Sequence, residues 1–413
     1  MAARFSLWWA AVLMGFVTIG AYGVAYYSIG VLIPVISEDT GWRTSTIAGG
    51  FSLSVIGSGA VALLAGRRFD RHGSGWLLAP GLAVGSAGFL AASWAREPWQ
   101  FVLGWSVGGA AVAGTLYYSV TMPVVSRLYP DRRPGALSVL TLLGAVASPI
   151  FYPLAGYLIE EFGWRGALRA LVGAMVLCAA PGALLVRAPG AAPAAADGRR
   201  SGSLADALRT PSVHRLLLVL ALAGLASSAL LIHQVAVMQA AGLTLAAASG
   251  FAGARGAFQI PGRLLMTPLV ARFGVRGTIA LCYGGATFGS VALLLALGGG
   301  AAGPLAFLYA AICGMTLGLL SPLNGLFQAE VFGDARLGTL TGVSTVVGSL
   351  SQATGAWGAG LAVDLAGSYA APLTAVILLQ GAALAALWWQ RQAGADSVTH
   401  GISRAYDSPA GRG

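Results

Sequence analysis

Apolar residues run along this chain in blocks of about twenty, each closed by arginine, glycine, proline or a short polar cluster. An α-helix of that length crosses a hydrocarbon core of roughly 30 Å. The blocks fall near 7–35, 44–65, 75–95, 99–125, 135–159, 166–186, 214–238, 245–271, 277–298, 304–327, 339–363 and 372–390. The pattern predicts one membrane-crossing helix for each. The first block exceeds the apolar core of a signal peptide and lacks a small-residue cleavage site, so it is expected to stay as the first helix.

Composition excludes a water-soluble fold. Hydrophobic residues make up 57% of the chain and charged residues 9%, and the mean hydropathy is +0.77. A soluble chain carries charge on about 25% of its residues; this one has too little to cover itself in water. In lipid the same scarcity is what the solvent demands, because backbone groups must be satisfied inside helices.

One polar interruption divides the blocks six and six. Residues 188–212 are rich in Pro, Ala and Gly and carry arginines, as a linker does. The expected organisation is a six-helix half over 1–187, a cytoplasmic linker over 188–212, a second six-helix half over 213–391, and a disordered tail over 392–413. The halves echo each other: Gly66-Arg67-Arg68-Phe69-Asp70-Arg71-His72-Gly73 follows the second block, and Leu269-Val270-Ala271-Arg272-Phe273-Gly274 follows the eighth. Duplicated halves are the common plan of transporters whose site lies at the midplane.

Charge then sets orientation. The chain has no lysine, and its arginines crowd onto one side. Arg43, Arg96, Arg165 and Arg169 fall on the other side, while Arg255 and Arg263 fall within a block. The positive-inside rule places both termini in the cytoplasm, consistent with a bacterial inner membrane. The net charge of +10 is topological, since the arginines are scattered over short loops with no basic domain for nucleic acid. Cys178, Cys282 and Cys313 all lie inside blocks and show neither metal-ligand nor disulfide spacing. No cofactor, metal site, nucleotide loop or catalytic cluster is expected, which sets aside enzymes and ATP-driven pumps.

The loop Gly66-x-x-x-Asp70-Arg71-x-Gly73 resembles the cytoplasmic signature of the major facilitator superfamily. That resemblance implies the major facilitator fold: an all-α membrane protein of twelve transmembrane helices in two pseudo-symmetric six-helix halves. It also implies that Gly66, Asp70, Arg71 and Gly73 gate the conformational cycle. In the second copy Ala271 stands where an Asp is expected. A narrower resemblance rests on Tyr117-Tyr118, on the run Arg127 to Ala136, on Phe162-Gly163-Trp164-Arg165-Gly166-Ala167, and on Asp364-Leu365-Ala366-Gly367-Ser368-Tyr369. These segments are similar to the monocarboxylate transporter family, whose bacterial branch includes relatives of oxalate/formate antiporters.

Candidate chemistry lies in the polar groups held at membrane depth, where an arginine costs about 2.5–3.5 kcal/mol on insertion scales. Arg255, Gln259 and Arg263 recur at i, i+4 and i+8 on one broad face of the eighth helix, about 12 Å from end to end. Snorkelling to the interfaces is the alternative use of such arginines. A guanidinium stays charged and grips a carboxylate with paired hydrogen bonds, and the resemblance aligns Arg263 with the family's substrate-binding arginine. Where the family often carries a proton-coupling Asp, this chain has Gln259. His233 is the histidine placed well inside a block, so substrate contact, proton carriage and plain packing all stand open for it. Tyr27, Tyr118 and Asn324 complete the candidate binding set, with Tyr26, Tyr117 and Gln352 as neighbours. The expectation is secondary transport of a small organic anion, a monocarboxylate above all, by proton symport or exchange, through a monomer in the bilayer. Export of another metabolite or a drug by a more distant member is the alternative.

Overall fold

Every regular element among the described residues is helical. The computed structural model describes residues 8–190, 210–299, 301–332 and 337–406. α1 spans 9–40, as Trp9–Tyr22, a π-helical turn Gly23–Tyr27 and Ser28–Thr40. α2 is Thr44–His72, and α3 is Leu78–Ser93. α4 comprises Pro98–Leu116 and Tyr118–Leu128. α5 spans 133–162 and α6 spans 164–185, joined at Gly163. α7 is Pro211–Ala240. α8 spans 245–273, through Leu245–Ala257 and Gln259–Leu264, and α9 spans 275–297. α10 is Ala302–Phe332, α11 is Leu337–Ala366 and α12 is Ala370–Tyr406. Nine helical runs among the described residues are long and apolar enough to cross a membrane. The longest, Pro130–Leu185, doubles back at Gly163 and so makes two passes.

The tight turns fall where sequence supplies glycine. Gly73 (φ 76), Gly163 (φ 64), Gly274 (φ 70) and Gly367 (φ 63) occupy the left-handed region, which other residues reach only at a cost of roughly 1–2 kcal/mol. Gly73 and Gly274 close the two corresponding loops of the echoed halves. The final helix runs to Tyr406, past residue 391, through a segment expected to be a disordered tail; residues 407–413 lie outside the described residues. Of the expected linker, 191–209 lie outside them too.

The halves meet unevenly. Away from the termini, α2 lies on α11 and α5 lies on α8. The Asp364 carboxylate, near the end of α11, accepts the backbone N–H groups of Thr44 and Ser45, each at 2.9 Å, and also the Ser45 hydroxyl. These donors open α2, so an anion from one half caps a helix of the other at its positive end. Ser52 Oγ donates to the Ala353 carbonyl at 2.6 Å about two turns further in. Gly360 leaves room for Ser45: a Cβ there would lie 2.9 Å from its Cα. Gly253 and Gly256 admit Pro153 and Ser148 in the same way on the α5–α8 seam.

Toward the termini the seam opens. Gly59 and Gly66 on α2, and Gly342 and Gly348 on α11, face nothing within 4 Å. The structure is therefore sealed at the far end and open at the end that carries the termini.

Candidate functional site

α8 carries the charged face, and its backbone is fixed by close approach of α10. A Cβ on Gly314 would strike the carbonyl of Arg255, and one on Gly318 would strike the carbonyl of Gln259. Gly262 meets the backbone of Met315 in the same way. Small residues at these positions let two helices pack backbone to backbone. Pro261 accounts for the nearby interruption at Phe258, since its ring removes an N–H and crowds the preceding turn.

Arg255, Gln259 and Arg263 all line one cavity of ≈280 Å³ between the halves. Tyr22, Tyr26, Tyr27, Tyr118 and Tyr152 form the facing wall. The π-helical turn Gly23–Tyr27 sets the register that turns Tyr26 and Tyr27 inward, and Gly23 is required there because a Cβ would enter the Phe151 ring. Tyr117 adopts an extended backbone (φ -80, ψ 175) that breaks α4 and delivers Tyr118 to the cavity. Tyr117 itself stacks on Tyr22, with ring centroids 3.8 Å apart. A second chamber of ≈370 Å³ adjoins the first through Tyr26, Ser227, Leu317 and Ser321, and Asn324 and Gln352 line it. Among the described residues, neither lining contains an aspartate or glutamate.

The two arginines sit differently. Arg263 is exposed to the opening, and no ion pair among the described residues involves it. Arg255 is 5% exposed. Its Nη1 donates to Gln234 Oε1 at 3.3 Å, its guanidinium stands 6.0 Å from the Tyr309 ring centroid, and its Nε is buried without a partner. Both arginines border the cavity.

His233 lies elsewhere. It is buried, its Nε2 lies 3.0 Å from the Ala356 carbonyl, and it borders a small void with Leu230, Pro372 and Val376 among others. The structure does not bring it to the cavity of the arginines. The loop residues form a third group at the open end. Asp70 pairs with Arg127 on α4 at 2.6 Å, and Arg127 also donates to the Pro189 carbonyl and covers the Phe69 ring. Gly73 packs against Ala188, whose carbonyl accepts the Ser74 N–H. Arg71 is exposed, and Gly66 faces the open seam.

Sequence reasoning missed Gln234, Tyr22, Tyr152 and Tyr309. Gln234 is fully buried and bonds Arg255, Tyr309 and Tyr152 at once. An uncharged amide inside an apolar block was the signal for it.

The profile of the Major Facilitator Superfamily matches residues 12–356. Curated relatives include monocarboxylate transporter 1 of Bos taurus, 29% identical over 209 residues, or 48% of this chain and 40% of that protein. They also include multidrug resistance protein MdtL of Escherichia coli (strain K12), 30% identical over 186 residues, 44% of this chain and 46% of that one. Each match thus covers less than half of the relative's length. Among solved structures, the nucleoside transporter NupG superposes with a TM-score of 0.70 at 12% identity, covering 94% of this chain and 98% of that one. A D-xylose–proton symporter gives 0.68 at 14%, covering 93% and 97%. These identities speak for the fold alone. With a family profile over most of its length and a transporter fold built from the helices described above, this chain is a membrane transporter rather than an enzyme, and it belongs to the Major Facilitator Superfamily.

Proposed function

We propose that the chain moves a small organic anion, a monocarboxylate in the first instance, across the membrane by alternating access. One observation carries the reading: two guanidiniums, Arg255 and Arg263, border a cavity whose lining holds no carboxylate. A bare pair of cations at membrane depth is costly, and an anionic substrate offsets that cost by pairing with them. Tyr27, Tyr118 and Gln259 surround the same space and supply hydrogen bonds. The likeness to monocarboxylate transporter 1 supports the substrate class.

On this reading Arg263, exposed at the mouth, meets the substrate first, and Arg255 receives it deeper. Asn324 borders the adjoining chamber and serves the entry path. With the termini in a bacterial cytoplasm, as the arginine asymmetry indicates, the open end faces inward. Gly66, Asp70, Arg71 and Gly73 then stand at the inner gate. Because the described cavity linings lack an acid, exchange of anions, which moves no proton, suits this site at least as well as symport. His233, on the seam of α7 with α11, is left a packing role.

The tyrosine-rich wall and the likeness to MdtL favour a second reading, export of a larger aromatic compound. Uptake into proteoliposomes of a labelled panel of monocarboxylates, dicarboxylates and aromatic cations separates the two. One series carries a proton gradient and the other a preloaded counter-substrate. Accumulation of an acid supports the anion reading, and the series in which it occurs distinguishes symport from exchange. Movement of cations alone overturns it.

A further inference from the structure

Among the described residues, one side chain, Gln234, accepts a hydrogen bond from Arg255, and it sits at the centre of a small polar network. Gln234 lies on α7 with 0% exposure. Its Oε1 accepts from Tyr309 Oη at 2.8 Å and from Arg255 Nη1 at 3.3 Å. Its Nε2 donates to Tyr152 Oη at 2.8 Å and to the Leu231 carbonyl at 3.2 Å. Tyr152 in turn donates to the Leu231 carbonyl at 3.3 Å. One amide therefore gathers α5 of the first half with α8 and α10 of the second around the guanidinium.

An amide is suited to this place. A carboxylate at 234 would neutralise Arg255 and leave nothing for an anion to bind. An apolar residue would leave Tyr309 and Arg255 without an acceptor. A glutamine accepts from the cation without cancelling its charge, so the guanidinium stays oriented, buried and electrostatically unspent. The Arg255 Nε, buried without a partner, is a donor that this arrangement leaves over.

We infer that Gln234 is a positioning residue for substrate binding: it aims Arg255 at the cavity and keeps its charge available. The inference rests on the reading that the cavity takes an anion, but its test does not depend on that reading alone. The protein is reconstituted in nanodiscs as wild type, Gln234→Leu and Gln234→Glu, and treated with phenylglyoxal. Modification is then quantified at Arg255 and at Arg263 by peptide mass spectrometry. A guanidinium freed from its acceptor in Gln234→Leu is expected to label roughly tenfold faster, the scale of one lost hydrogen bond to a charged group. In Gln234→Glu it is expected to label more slowly than wild type, since it is now ion-paired. Arg263, about two turns further along α8 and not bonded to Gln234, serves as the internal reference and is expected to keep its rate.

Uptake of labelled lactate and oxalate by the same three proteins supplies the second readout. Gln234→Leu is expected to raise KM by about tenfold with the maximal rate little changed. Gln234→Glu keeps the size and shape of the side chain and is expected to abolish saturable uptake. Loss confined to the maximal rate, or equal labelling of Arg255 in all three proteins, overturns the assignment. If the wild type takes up neither acid, the anion reading falls, and the ratio of Arg255 to Arg263 labelling still decides the role of Gln234.

Discussion

At the far end, Gly360 lets α11 lie on the first turn of α2, and Asp364 closes the joint by accepting two backbone N–H groups and a hydroxyl. At the end carrying the termini, Gly342 and Gly348 on the same α11 face open space, as do Gly59 and Gly66 on the same α2. One pair of helices thus holds both a made seam and an unmade one, and glycines furnish both. The difference is a charge–helix-terminus contact: the far end has one across the seam, while Asp70, at the open end, pairs with Arg127 inside its own half. Alternating access needs this inequality to be reversible, with two seams of similar intrinsic quality and a small free-energy difference between them.

That comparison breaks most readily at Gly360. Gly360→Leu places side-chain atoms against the backbone of Thr44 and Ser45, which cannot yield as a flexible side chain would. Overpacking of about 1–3 kcal/mol corresponds to a population shift of roughly five- to 150-fold. Spin labels on Arg96→Cys and Ser368→Cys, one on each half at the far end, should report a longer distance, and uptake should fall with it. Asp364→Asn should act in the same direction but less strongly, because the amide that replaces the carboxylate still accepts through its carbonyl. Its loss is on the order of 1 kcal/mol, read by the same label pair. At the open end, Gly342→Leu meets no neighbour in this state, so thermal stability should hold while the labels show no opening at the far end. Smallest is Asp70→Asn. Its ion pair is exposed and should contribute at most about 1 kcal/mol to melting, and a larger loss would mean that the pair does more in this state than tether α2 to α4.

Much of this was legible in the order of residues. Lipid requires whole helices of fixed length, so block boundaries follow hydropathy closely. The sharp turns at Gly73, Gly163, Gly274 and Gly367 fall within segments whose resemblance drew attention to them, and few other residues accept those backbone angles. The i, i+4, i+8 spacing of Arg255, Gln259 and Arg263 survived the interruption at Phe258, so one face still meets the cavity.

The failures concern which face of a helix looks where. His233 and Gln234 are consecutive and point about 100° apart on α7. The first faces α11 and a small void, while the second reaches Arg255. Titration chemistry drew attention to the histidine, and nothing in spacing alone could rank the amide above it. Tyr22 and Tyr152 were hidden for a related reason: aromatic residues in apolar helices serve packing and lining alike, and only the π-helical turn and the Gly23–Phe151 approach settle their direction.

Arg263 and Arg255 are proposed to make the cavity an anion site, and Arg263 is the more exposed of the two. The most direct measurement is saturable uptake of a labelled acid transported by wild-type proteoliposomes, set beside Arg263→Ala at equal incorporation and equal melting temperature. The variant is expected to lose affinity by at least about tenfold, the scale of a charge-assisted hydrogen bond. A variant that transports the acid as well as wild type would contradict it.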